Sequence, residues 1–291
     1  RVAQEMTDYP LDKIHNYTVD YDLVQQMSRE FFRLTTDELD RVDAIGENRS
    51  ETIASGALVV RLVMKRLGFK RMTVSTHGLR DGILTEFLER GVRSSLGIAQ
   101  LEELERIMAR EDMPPRVAGV SELAECLERN GIIDGRQQAV LMAAVERGRA
   151  EDCVGADSSS LFGILMSEDL PMSHDDQLFM AISLVKARRP RTANWLMRRY
   201  GGMLKRDDMK SIRKMGAALR LMEILDRSEA HVKVAYSGGL RISVLESEGP
   251  FPLELAKTSA LALSASIKRP IAISVSAKEG ERRAESVRVE R

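Results

Sequence analysis

One strand-and-loop segment carries the groups best suited to chemistry in this chain. Residues 71–75 predict a short strand, and the sequence T-H-G-L-R-D-G at 76–82 turns directly into a helix. A strand that ends in a glycine-containing turn before a helix directs backbone N–H groups, and here Arg80, toward one point beyond the strand end. That arrangement suits an anion, most often a phosphate.

A helix is expected immediately before this strand. Asn48 can cap the helix with Glu51 completing a capping box, and apolar residues at helical spacing continue to a glycine stop at Gly68. Helix, strand, glycine turn and helix therefore follow one another without interruption over residues 48–84.

Two spaced motifs in this segment resemble those of a known family. The pattern R-x-x-T-I-x-x-G-A begins at Arg49, and V-S-x-x-G-L-R-[DE]-G begins at Val74. Together they resemble the Ppx/GppA phosphatases, which are exopolyphosphatases and guanosine pentaphosphate phosphohydrolases. The sequence D-Y-P-L-x-x-I-H-N-Y at 8–17 is similar to a segment that precedes these motifs in family members, and a weaker resemblance extends to about residue 230.

The resemblance implies phosphate contacts for four residues. It implies that Arg49 faces the phosphate chain of the substrate, and that the loop with Ser75, Gly78 and Arg80 lies near the same cleft. A guanidinium suits this role because its planar fork binds two phosphate oxygens at once. Structural roles are the alternative: Arg49 can simply begin a helix, Arg80 can hold the loop together, and Ser75 can cap the following helix. Asp81 stands where the family usually has glutamate, which shortens the carboxylate.

The resemblance also implies an activity and its limits. Family members remove the terminal phosphate of inorganic polyphosphate or guanosine pentaphosphate, with Mg²⁺ shielding the oxygens while water attacks. Their glycine-rich phosphate loop and catalytic glutamate lie upstream of every segment matched here. We therefore expect this chain to be a fragment that holds no catalytic residue, binds no cofactor alone and is inactive by itself. His77 could act as a general acid or base, but no carboxylate partner is placed by spacing, and a solvated loop histidine is the alternative.

Composition excludes several other classes of protein. Lysine plus arginine equals aspartate plus glutamate at 44 each, and aromatic residues make up only 4% of the 291 residues, so neither a membrane surface nor a specific nucleic acid is indicated. Cys126 and Cys153 have no paired spacing and predict reduced thiols. Neither a signal peptide nor a long apolar run is present, so we expect a cytoplasmic protein.

Periodicity predicts an α+β chain that is mostly α, in three domains. Residues 1–91 are expected to be the remainder of the second lobe of an actin-like (ribonuclease H-like) ATPase, and because one strand cannot form a sheet, this lobe should be incomplete or borrow pairing. Residues 92–230 are expected to form an HD-like helical bundle, and 231–291 a small module of β-hairpin, helix and strand with a loose tail from Lys278. The helices predicted for the second domain are 98–109, 117–129, 137–148, 159–167, 174–188 and 208–227.

The helical domain retains the frame of the HD phosphohydrolases without their ligands. Residues 143–148, 158–162 and 219–226 stand where the three HD motifs fall, yet no histidine occurs between positions 78 and 173. Imidazole is the ligand that such sites need, so we expect no metal here. The second hypothesis for function is thus a non-enzymatic module that serves dimerisation or binds a polyanion, and a homodimer is expected in either case.

Two charged clusters in this domain admit a functional and a structural interpretation. Oxygen ligands for a hard cation or a solvated acidic turn are the alternatives for Glu146, Glu151, Asp152 and Asp157. A polyanion-binding surface or a solvated helix end are the alternatives for the basic residues at 186–191 and 198–199, which flank Trp195.

Overall fold

The computed structural model of the chain describes residues 1–46, 48–80, 82–83, 86, 118–150, 152–228, 231–246, 251–275 and 286–288. They fall into two compact units. Unit 1 holds the described residues of Arg1–Leu101 together with Pro171–His174, and unit 2 holds those of Glu102–Leu170 and Asp175–Arg291. Helices dominate and two small sheets accompany them, which confirms the predicted α+β, mostly α fold class.

The described residues of unit 1 include four helices and two short strands with assigned bounds. Its elements are α1 (Val2–Met6), β1 (Thr18–Asp20), α2 (Tyr21–Phe31), α3 (Thr36–Leu39), α4 (Ser50–Leu67) and β2 (Arg71–Thr73). α3 begins with a capping box: the Thr35 hydroxyl accepts the backbone N–H of Glu38, and the Glu38 carboxylate accepts the backbone N–H of Thr35.

The predicted start of α4 is wrong by one residue. Asn48 adopts a positive φ of 61° in the preceding turn, so the helix begins after Arg49, which occupies the N-cap position without a side-chain cap. A residue in the left-handed region cannot also serve as the extended N-cap of the helix. The glycine stop is confirmed, since Gly68 ends α4 at φ 70°.

The strand after α4 finds its partner within unit 1. β1 pairs antiparallel with β2, and Asp20 stands opposite Arg71 and Thr18 opposite Thr73. Backbone bonds of 2.8 Å between Asn16 and Val74, and between Val74 and Tyr17, extend this ladder beyond the strands. β1 was not predicted, because three residues are too few to display an alternating pattern.

Two apolar clusters hold unit 1 together, and α4 contacts both. Met64 is buried in one cluster with Tyr17, Val19 and Val24. Near the other end of α4, Ile53, Ala54 and Ala57 pack against the second cluster, which consists of Phe31, Leu39 and Ile45. The opposite face of α4 exposes large apolar residues to solvent: Val59, Leu62, Val63 and Leu67.

Unit 2 begins with a group of helices whose bounds follow the predicted periodicity closely. They are α5 (Ala118–Arg129), α6 (Gly135–Gly148), α7 (Ser158–Ser167), α8 (His174–Arg188, of which His174 belongs to unit 1), α9 (Pro190–Tyr200), a 3₁₀ turn (Gly201–Met203) and α10 (Arg206–Arg227). The predicted helix 98–109 lies outside the described residues. The predicted helices do not include α9. It begins at Pro190, and proline can either end one helix or occupy the first turn of the next, as it does here.

α8 is the central helix of unit 2. Every residue from Leu178 to Val185 is fully buried, with Ser183 included among the apolar residues. A helix buried on all sides must be surrounded by other elements. α10 approaches it closely at Gly216, where a Cβ would lie 2.7 Å from the Cγ of Lys186. Glycine is therefore required at this crossing.

A four-stranded sheet completes unit 2. Its order is β3 (His231–Tyr236), β4 (Leu240–Glu246), β5 (Ile271–Val275) and β6 (Ser286–Arg288), and α11 (Leu253–Ile267) connects the parallel pair β4 and β5. The predicted hairpin, helix and strand are confirmed. The tail after Lys278 was expected to be loose, but part of it forms β6, which pairs antiparallel with β5. β6 is stabilised by its backbone hydrogen bonds with β5, and its three residues are too few to show an alternating apolar pattern in the sequence.

Candidate functional site

The predicted phosphate loop leaves the end of β2 in a closed turn. The Ser75 hydroxyl accepts the backbone N–H of His77 and also contacts the His77 carbonyl oxygen, both at 3.1 Å. Leu79 and Arg80 then begin the expected helix, and the N–H of Gly82 donates to the Gly78 carbonyl at 3.2 Å. Ser75 thus holds the turn, a structural role different from the helix cap expected as its alternative, while its exposed hydroxyl stays at the loop surface.

His15, from the segment at 8–17, supports the same loop. Its Nδ1 accepts the backbone N–H of Thr76 at 3.3 Å and lies 3.1 Å from the Thr76 hydroxyl. Nδ1 thus serves as the hydrogen-bond acceptor of the His15 ring in this contact. The ring of His77 packs edge-on against His15, with ring centres 4.9 Å apart. The segment at 8–17 therefore positions the loop.

A buried hydrogen-bond chain anchors His15 in turn. His174 is 4% exposed, and its Nε2 lies 2.7 Å from the His15 carbonyl oxygen. A carbonyl oxygen can only accept, so Nε2 donates to it, and Nδ1 of the same ring lies 2.7 Å from the Tyr9 hydroxyl. Tyr9 also packs edge-on against Tyr17 at 4.6 Å between ring centres. Sequence reasoning missed this chain, and its only signal was the cluster of tyrosine and histidine in the motif.

Arg49 and Arg80, the two predicted phosphate ligands, share one property. Both are exposed, and neither guanidinium has a hydrogen bond or ion pair with any residue in the described part of the chain. Arg49 crosses the turn before α4, where its Cδ would lie 3.9 Å from a Cβ built on Gly46. Both side chains are thus available to an anion from solvent. Gly78 is exposed beside Arg80 in the same loop.

Arginines bind the acidic residues of the segment 219–226 in unit 2. Arg149 donates to both carboxylate oxygens of Asp226, at 2.6 and 2.5 Å. Arg188 donates twice to Glu223, at 2.9 and 2.7 Å, and also to the carbonyl oxygens of Cys153 and Gly148. The carboxylates that a metal would need are therefore neutralised by guanidinium groups.

Several residues of the two charged clusters that admitted two interpretations bind other residues of the fold. Asp157 caps α7 by accepting the N–H groups of Ser159 and Ser160. A hydrogen bond from the Ser160 hydroxyl, together with these two, lowers the pKa of Asp157. Asp152 pairs with Arg147, which also contacts Glu168. Glu151 lies outside the described residues. In the basic segment, Lys186 donates to Asn194 at 2.8 Å, while Trp195 remains exposed.

A second ionic network in unit 2 is structural. Arg136 donates to both oxygens of the buried Asp208, at 2.7 and 3.1 Å, and to Asp176 at 2.5 Å. The hydrogen bonds that Arg136 donates to Asp208 raise the pKa of Arg136 above its ordinary value, and the negative charge of Asp176 raises it further. This network joins α6, α8 and α10 around the bundle core.

Two further observations concern the helices and the loop of unit 1. Among the described residues, each helix is too short or too polar to cross a membrane. In unit 1, a strand passes through a glycine-containing turn into a helix, an arrangement that suits an anion such as phosphate.

The family follows from comparison with known proteins. Residues 1–91 match the Ppx/GppA phosphatase family. The match confirms the resemblance of the motifs at 8–17, 49–57 and 74–82 and supports a phosphatase-type function, while the helices and sheet of unit 2 lie outside it. None of the curated proteins matches the chain.

Proposed function

We propose that unit 1 binds the phosphate groups of inorganic polyphosphate or guanosine pentaphosphate for a phosphoanhydride hydrolase of the Ppx/GppA type. Arg49 and Arg80 would supply the charged donors, and Ser75 and Gly78 of the loop would lie against the bound phosphate. The observation that carries the proposal is that both arginines are exposed and have no partner within the described residues.

Four arginines of unit 2 illustrate the structural alternative. There, Arg136, Arg147, Arg149 and Arg188 each bind carboxylates of the fold. An arginine that stabilises a fold is paired in this way, whereas one that binds a ligand has unpaired guanidinium donors when the ligand is absent. In addition, Arg49 stands at a helix N-terminus, where a cation opposes the helix dipole, so its position is not explained by helix stability.

The loop is held in one conformation by the hydrogen-bond chain through Tyr9, His174 and His15 to Thr76. A loop that is already held in one conformation loses little conformational entropy when a phosphate binds. Bidentate binding by the arginines would hold the terminal phosphate and offset the charge that develops during its transfer.

The described residues of this loop do not by themselves form a magnesium site. Residues 75–80 offer hydroxyl groups but no carboxylate, and the hydroxyl of Ser75 already bonds to the backbone of His77. Magnesium prefers carboxylate, water and phosphate oxygens. In the proposed function, Mg²⁺ is therefore carried by the phosphate groups of the substrate.

The proposal is tested by the binding of polyphosphate and guanosine pentaphosphate to the 291-residue chain, measured by isothermal titration calorimetry. Arg49→Ala should weaken binding roughly ten- to a hundredfold, because each lost charge-assisted hydrogen bond costs about 1.5 to 3 kcal/mol. Arg66→Ala is the matched control: it removes the same charge from the last turn of α4, about 25 Å along the helix from Arg49. Equal affinity of Arg49→Ala and Arg66→Ala would contradict the proposal.

The second candidate function is a polyanion-binding helical module without catalysis. It is favoured by the pairs Arg149 with Asp226 and Arg188 with Glu223, which bind the carboxylates of the third frame segment. Thermal unfolding of the full chain with and without manganese separates this hypothesis from a metal-dependent hydrolase. A manganese shift that Glu223→Gln abolishes would favour the hydrolase.

A further inference from the structure

Unit 2 contains an open cavity of about 910 Å³ that has no assigned role. It is formed by the start of α7, the end of α8, the second half of α10 and the start of α11. Its volume falls within the range of small-molecule sites, roughly 300 to 1,000 Å³. Leu161, Val185 and Ile224 give it a partly apolar wall.

Ionisable residues in the cavity lining are strongly unbalanced in charge. Arg188, Arg189, Arg220 and Arg227 line it together with a single carboxylate, that of Glu223. One of the four positive charges is therefore offset, and three remain. Like charges that share one cavity repel one another, and an anion that binds among them removes this repulsion.

The four arginines do not have the same role. Arg188 is committed to the fold, since it binds Glu223 and two backbone carbonyl oxygens. In contrast, Arg189, Arg220 and Arg227 are exposed, and their guanidinium groups make no hydrogen bond or ion pair with the residues that the structure describes. Their side-chain donors are free, whereas those of Arg188 are used within the fold.

The charge left over in the cavity indicates the kind of anion that fits it. Arg220 and Arg227 are seven residues apart on α10, so they lie on one face of the helix, about 10.5 Å apart along its axis. Their long side chains both line the same cavity. Together with Arg189 they present three positive charges there, and an anion with several negative charges complements them best.

We propose that this cavity binds an anion that carries at least two phosphate groups, held by Arg189, Arg220 and Arg227. Planar guanidinium forks are the side chains best matched to phosphate oxygens. An inorganic phosphate chain and the phosphate chain of a nucleotide share this chemistry, and the apolar wall can additionally hold a nucleobase. The site lies wholly within unit 2 and does not rest on the function proposed for unit 1.

The experiment uses the full chain with Arg49→Ala and Arg80→Ala as its background, so that the proposed site of unit 1 is silenced. Tripolyphosphate and GTP are titrated by calorimetry at low and at moderate salt. Arg220→Ala with Arg227→Ala should weaken binding by about tenfold or more. The affinity of the background protein should fall as salt rises, because the contacts are ionic.

The control removes the same two charges from the same helix. Arg206→Ala with Arg213→Ala also takes away two exposed arginines seven residues apart on α10, and neither lines the cavity. This control should bind as the background protein does. Arg220→Lys with Arg227→Lys keeps the charge without the fork and should bind with intermediate affinity. Thermal unfolding of each variant verifies that unit 2 is folded.

Comparable binding of tripolyphosphate and GTP would identify the phosphate chain as the ligand, and binding of GTP alone would identify a nucleotide. Either result supports the proposal if Arg220→Ala with Arg227→Ala removes the binding. If the background protein binds neither probe at millimolar concentration, or if both double alanine variants lose affinity equally, the proposal is wrong. These results leave the Arg49 test of unit 1 unaffected.

Discussion

Arg149→Ala should destabilise unit 2 strongly, because it leaves the carboxylate of Asp226 buried without its partner. The side chains of Arg149 and Asp226 are only 14% and 8% exposed, and two hydrogen bonds join them. Removing one member of a buried ion pair costs about 3 to 5 kcal/mol. For a domain of this size, that loss corresponds to a fall in melting temperature of roughly 6 to 20 °C. Urea unfolding followed by circular dichroism measures the free energy.

Two comparisons make this prediction specific. Arg149→Ala combined with Asp226→Ala should be no less stable than Arg149→Ala alone, because the unpaired carboxylate is then gone. Arg129→Ala breaks an exposed pair with Glu125, whose side chains are 66% and 59% exposed, and should cost only about 0.3 to 0.5 kcal/mol. A loss below about 1 kcal/mol for Arg149→Ala would refute the reasoning that Asp226 depends on this partner.

The remaining predictions concern the thiols, a helix glycine, metal binding and catalysis. Burial raises the pKa of Cys126 and Cys153 above the ordinary value of 9.0, so both thiols should resist Ellman's reagent until the protein is unfolded, and rapid reaction of the native protein would contradict this. Because a raised pKa favours the neutral thiol in the folded state, their contribution to stability should be constant below pH 9.0 and decline as pH rises further, as urea midpoints would reveal; a chain with both cysteines changed to alanine should lack this decline. Gly56→Ala in α4 should stabilise unit 1 by about 0.5 to 1 kcal/mol, since a Cβ there meets no described atom within 4 Å, and a lower melting temperature would point to a required close approach. Protein purified without chelator should contain no stoichiometric manganese, iron or zinc bound through Glu223, and a manganese-dependent melting shift that Glu223→Gln removes would show otherwise. The 291-residue chain should release no phosphate from polyphosphate or guanosine pentaphosphate above a protein-free control, and magnesium-dependent release that survives repurification would refute this.

Local signals in the sequence predicted most of the helices and the family. The apolar periodicity of α2 and α10, the capping box at Thr35 and the stop at Gly68 depend on residues within a few positions of one another. The two motifs that begin at Arg49 and Val74 are likewise short, and residues 1–91 match the family that they indicated. Such features are visible in one sequence because their causes are local.

Local reasoning failed where two weak signals competed. Asn48 has the side chain of a helix cap, but the turn before α4 places it at a positive φ, and Arg49 becomes the N-cap instead. Pro190 separates and also begins helices, and here it begins one. β1 and β6 contain three residues each, so only their pairing partners identify them as strands.

The partners of charged and polar side chains were decided by tertiary structure. Tyr9 meets His174 across 165 positions of the chain, and Arg149 meets Asp226 across 77. The sequence alone determined that the helical domain lacks the histidines of an HD site, that two motifs of unit 1 suit phosphate, and where most helices begin and end. Only the fold determined that arginines neutralise Glu223 and Asp226 while Arg189, Arg220 and Arg227 line a cavity unpaired, because a charge finds its partner through packing of distant elements and no local pattern records that choice.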